Sequence, residues 1–140
     1  MNYIFLTAIV LLSSCVGPPD YADGLLENKP AIINDADYFS LSLLGDKYDA
    51  NNDWSLLMDL IEDDRILVTT VVKDVVLSSS DSTYLYMIND QSDTVFTAGI
   101  FSDLISRNEF DVVEFGLPKK VVLNCNNFTG RIEFQLIKIQ

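Results

Sequence analysis

Arg131-Ile132-Glu133-Phe134-Gln135-Leu136 (RIEFQL) alternates polar and apolar side chains without exception. A period of two is the pattern of a strand with one face buried and one face wet. Working back from it, Val121 to Cys125 (VVLNC) places Val121, Leu123 and Cys125 on one strand face. Gly116-Leu117-Pro118-Lys119-Lys120 and Asn126-Asn127-Phe128-Thr129-Gly130 read as hairpin connectors around it. Phe110 to Phe115, Thr94 to Phe101, Thr83 to Ile88 and Arg65 to Leu77 are further strand segments rich in β-branched and aromatic residues. The long Arg65–Leu77 run predicts a kink or bulge near Lys73-Asp74, and Gly99 is a second candidate bulge. With Tyr38 to Leu44 the set reaches about seven strands at sandwich spacing. The expected fold is mainly β, an antiparallel β-sandwich with one short inserted helix. That helix is expected where Trp54, Leu57, Met58 and Ile61 recur at i, i+3, i+4 and i+7, after an Asn52 or Asp53 N-cap.

Upstream of the strands the sequence carries an address. Tyr3 to Leu12 are ten nearly apolar residues, too few for the roughly 20 that cross a bilayer. They match the apolar region of a secretory signal. Leu12-Ser13-Ser14-Cys15 resembles the bacterial lipobox, which makes Cys15 the expected lipidation site and first mature residue. The expected organisation is a signal peptide at 1–14, a lipidated cysteine and tether at 15–35, and a β-domain at 36–140. Val16 follows the cysteine in place of the aspartate that retains lipoproteins in the inner membrane, so the expected location is the periplasmic face of the outer membrane. With Cys15 acylated, Cys125 has no disulfide partner and reads as a core residue.

The 140 residues include no histidine, and 21 acids against 9 bases give a formal charge of −12. That balance disfavours nucleic-acid backbones and anionic lipid head groups as partners. The missing histidine removes imidazole-based catalysis and imidazole-ligated zinc. No nucleophile–base pair and no phosphate-binding glycine loop appears, so neither an enzyme nor a cofactor is expected. Asp49, Asn51 and Asp53 stand at positions 1, 3 and 5 of a calcium-loop pattern. Trp54 and Leu60 then occupy the places of its glycine and closing glutamate, which favours an Asx-rich turn. Glu62-Asp63-Asp64 are contiguous and read as a solvated turn. Asn127-Phe128-Thr129 fits a glycosylation sequon. Between Asp46 and Asp64, Asp46, Asp49, Asp53, Asp59, Glu62, Asp63 and Asp64 outweigh Lys47. From that excess, Asp59, Glu62 and Asp63 are the candidate partner-binding residues, steering a basic protein surface.

Asp37-Tyr38-Phe39-Ser40-Leu41, Ala98 to Leu104, and Phe110 to Phe115 resemble stretches of the small TssJ-type outer-membrane lipoproteins of type VI secretion membrane complexes. Ser102 stands where that family has an arginine, and Phe110 where it has a tryptophan. The resemblance implies a transthyretin-like sandwich with an extra helix that binds the periplasmic tip of an inner-membrane partner. A periplasmic immunity lipoprotein that neutralises a secreted toxin is the alternative, since small acidic inhibitors suit basic toxin surfaces. A lipid-anchored β-domain stabilising another envelope assembly is a third reading.

Overall fold

Two long strands organise the computed structural model, which describes residues 24–78 and 81–139. In chain order the elements are β1 (Ala31–Asn34), β2 (Tyr38–Ser55), β3 (Arg65–Val76), β4 (Ser82–Asn89), β5 (Thr94–Gly99), β6 (Leu104–Asp111), the single-turn helix α1 (Val112–Phe115) and β7 (Pro118–Ile139). All pairings between the strands are antiparallel. Neighbours run β1-β2-β7-β3-β6, with β4 also pairing β7 and β5 pairing β4. The fold is thus mainly β, seven antiparallel strands with one short helix.

β7 has 22 residues and β2 has 18, each long enough to serve two halves of the sheet. The C-terminal half of β7 lies between the first half of β2 (Tyr38↔Ile137 to Gly45↔Gly130) and β3 (Arg65↔Ile139 to Val76↔Thr129). Its N-terminal half lies between the second half of β2 (Ala50↔Cys125 to Ser55↔Lys120) and β4. Both strands bend where the halves join. In β2 the register slips between Gly45 and Ala50, and Lys47 has φ 52°. In β7, Asn127 and Gly130 have φ 58° and 146°.

The bend folds the sheet over on itself, giving a sandwich-like core. Phe134, from the C-terminal half of β7, has its ring 5.7 Å from that of Phe96 on β5 and 6.4 Å from Phe39 on β2. Leu41, Leu43, Val68, Ile132 and Leu136 from one half meet Leu85, Met87, Val121 and Leu123 from the other in one buried cluster. Cys125 joins it at 2% exposure, as its place on the VVLNC face requires.

Several local expectations are corrected here. The helix at 54–61 does not form: Trp54 and Ser55 continue β2, and the chain from Leu56 to Asp64 has no helix. The same stretch also holds a period of two, and it is this one the fold uses. Trp54, Leu56, Met58 and Leu60 pack on the core, while Leu57 and Ile61 are 66% and 61% exposed. A helix under three turns is marginal without a packing partner, whereas this β-ladder continues on β7, Leu56 N–H donating to Lys119 O at 2.8 Å. The one described helix is instead Val112–Phe115, inside the segment expected to be a strand from Phe110 to Phe115. Asn126–Gly130 is no hairpin connector; Phe128 is fully buried and β7 runs on through it. Ala31–Asn34, inside the stretch expected to be tether, forms β1 on the edge of β2. The kink near Lys73-Asp74 is present, with Asp74 at φ 58° and a register shift before Val76.

Candidate functional site

The fold has a bend end and an open end. Gly45 to Lys47, Asn127 to Gly130 and Asp74 to Val76 meet at the first. At the second lie Tyr38, Arg65, Asp111 and Ile139 of one half, with Ser55, Asn89 and Pro118 of the other. Loop 56–64, turn 89–93 and α1 all sit at the open end.

Between them is a cleft of about 470 Å³, with Glu62, Asp90, Asp93 and Glu114 in its lining. Val95, Val112, Val113 and Phe115 supply apolar wall, and no lysine or arginine lines it among the described residues. Asn89, 6% exposed, holds the cleft together. Its amide donates to Phe115 O at 2.9 Å, and its Oδ1 accepts from the N–H groups of Gln91 and Asp93, both at 2.9 Å. The turn and the helix are therefore fixed to each other by one side chain. Gly116 closes α1 at φ 80°, donating its N–H to Val112 O. A Cβ there would lie 2.9 Å from the Asn89 amide nitrogen, so only glycine fits this approach.

Loop 56–64 is tied down from the other side. Asp64 accepts from Ile61 N–H at 2.7 Å and from the Lys138 ammonium at 2.9 Å. These two contacts, the Ile61 amide first, hold the Asp64 carboxyl below the usual carboxylate range. Lys138 is pushed above its ordinary value by the same partner. It also donates to Asp59 O at 2.8 Å. Arg65 is engaged by Glu109 and Asp111, and Lys120 by Asp53.

The expected site residues separate. Glu62 lines the cleft; Asp59 does not, its backbone N–H donating to Ala36 O at 2.7 Å and its backbone O accepting from Lys138; Asp63 is exposed and also outside the lining. Asp90 and Asp93 lie between two expected strands and Glu114 within another; they line the cleft with Glu62, and no local sequence signal links them. Asp49, Asn51 and Asp53 are exposed residues of β2 on one outer face, not parts of a loop. Side chains two apart on a strand stand nearly 7 Å apart and run parallel, so these oxygens do not converge. Among the described residues no group of three potential metal ligands forms. The sequon amide of Asn127 donates to Asp81 at 2.8 Å within a half-buried setting. Burial pushes the Cys125 thiol up to about 12, against a smaller lowering by Thr83, so it is not a nucleophile at neutral pH. Cys15 and the signal segment lie outside the described residues.

No family model matches the chain, and no curated protein matches it. Among solved structures it is similar to a chain from the disulfide-linked pili of Bacillus endospore appendages, at 9% identity and TM-score 0.42, covering 80% of this chain and 92% of that one. A chain of the glycosylation-associated Gap123 complex of Streptococcus agalactiae matches at 11% and 0.39, covering 79% of this chain and 39% of that one. The enzymatically active domain of tailspike protein 4 of bacteriophage CBA120 matches at 12% and 0.39, covering 81% of this chain and 18% of that one.

Proposed function

We propose that this protein is a lipid-anchored periplasmic binding module, held at the outer membrane through Cys15, that docks a protein partner as a structural part of a secretion-system membrane complex of the type VI kind. The observation that carries the reading is the position of the acidic cleft relative to the chain's start. Glu27 bridges to Leu44, and Asn28 exchanges two hydrogen bonds with the backbone of Asp46, so the first described residues sit at the bend end. The cleft is at the opposite end. A module tethered by Cys15 then presents carboxylates outward, toward a basic partner surface, and carboxylate fields speed such encounters. A buried thiol and a cleft whose charged lining, among the described residues, is all carboxylate support a binding role.

The same acidic end favours a second reading, an immunity lipoprotein whose partner is a basic secreted toxin. Labelling with a radioactive fatty acid tests the anchor: wild type should incorporate it and Cys15→Ser should not. Detergent co-purification divides the two readings. Recovery of an inner-membrane protein, with secretion lost on deletion, supports the apparatus role. Recovery of a toxin, with deletion killing only toxin-exposed cells, supports immunity.

A further inference from the structure

We infer that the bend end of the domain rests on the lipid bilayer, with Val76, Leu77 and Ile105 in the head-group region. The inference rests on the acylation of Cys15 proposed above. Nine positions separate Cys15 from Gly24, a reach of at most about 30 Å. Each half of the sheet spans about eight residues, or roughly 27 Å. The leash meets the domain at the bend end, so turning the open end to the membrane would take nearly its whole length. The bend end reaches the surface well within that length.

The side chains at that end suit the contact. Val76 is 64% exposed, Leu77 41%, Ile105 76% and Leu26 65%. Val76 lies opposite Thr129 at the bend, and Ile105 pairs with Val71 two positions from Lys73. Beside Ile105 runs a groove of about 460 Å³ lined by Val72, Lys73, Asp74, Asp103 and Leu104. Lys29, Lys47 and Lys73 are interspersed with Glu27, Asp46, Asp74 and Asp103. Charge is mixed there, whereas the charged groups lining the cleft, among the described residues, are all carboxylates. A zwitterionic surface is the matching partner, because apolar side chains enter it without a field of one sign to oppose them.

The test uses the acylated full chain in phosphatidylcholine vesicles containing brominated lipid. Tryptophan is introduced separately at Leu77, Ile105 and Val113, and the Trp54 signal is subtracted with the unaltered protein. Val113, 72% exposed at the open end, is the reference. Leu77→Trp and Ile105→Trp should be quenched at least twofold more than Val113→Trp, with native circular dichroism in all three. Quenching at Val113→Trp equal to or above that at the other two, in protein that floats with the vesicles, overturns the orientation alone. Protein that does not float overturns the anchor and the orientation with it.

Discussion

Gly45 and Gly130 face each other across the β2–β7 ladder, and the ring of Phe128 fills the space their side chains would need. A Cβ on Gly45 would lie 2.6 Å from Phe128 Cδ1 and 2.9 Å from its carbonyl oxygen. A Cβ on Gly130, at φ 146°, would lie 3.0 Å from Lys73 O. Gly45→Ala should therefore destabilise the domain by about 1–3 kcal/mol through overpacking. Urea unfolding should show a lower midpoint at unchanged slope. Gly130→Ala should act in the same direction, adding backbone strain.

Phe134 joins the two halves of the core, touching Phe39 on one side and Phe96 on the other. Phe134→Ala should cost about 3–5 kcal/mol. Phe134→Asp should leave the chain unfolded by circular dichroism, because a charge would be buried without a partner. Thr97→Ala, on an exposed position of β5, should stay within ~0.5 kcal/mol of wild type.

The strands were legible where burial is one-sided. RIEFQL alternates in the structure as it does in sequence, and Arg65–Val76 carries the expected irregularity at Asp74. Residues 54–61 misled because two periods coexist in WSLLMDLI, and pairing with β7, Trp54 opposite Val121 and Ser55 opposite Lys120, decided between them. Asn126–Gly130 has turn-forming composition, yet it bends one strand instead of separating two. That distinction depends on Phe128 finding Gly45, which no local pattern encodes. The cleft was half legible: Glu62 belongs to an evident acidic run, while Asp90 and Asp93 are held near Glu114 by Asn89 and by Asp90 N–H donating to Leu117 O, contacts no local pattern encodes.

The Asp64–Lys138 pair gives a pH dependence of known sign. Asp64 is lowered from 3.8, so its contribution is present above the unfolded value and is lost as pH falls through the lower, folded one. Asp64→Asn should flatten the acid limb of stability below about pH 4. Lys138 is raised from 10.5, so its contribution is complete below that value and is lost on the alkaline side above it. Lys138→Met should remove that alkaline step and weaken the acid one. Thermal melts across pH 2–12, a range set by these ~4 and ~10.4 reference values, would check both.

The cleft carboxylates should matter for rate more than for stability. The variant Glu62→Gln, Asp90→Asn, Glu114→Gln should slow association with a basic partner about tenfold or more at low salt. The difference should shrink as salt rises. Asp59→Asn should have a smaller effect, since that residue does not line the cleft. Stopped-flow association with the co-purified partner is the measurement; equal rates for wild type and triple variant at low salt would leave the carboxylates only a solubility role.

β7 is the seventh strand to leave the ribosome and the one that β2, β3 and β4 all pair with. Before residues 118–139 exist, the chain can form only the ribbons β1–β2, β3–β6 and β4–β5. Isolated two-stranded ribbons are marginal in water. The sheet therefore stays open until residues 118–139 are made. Closure of the sheet waits on β7, where all three ribbons join at once.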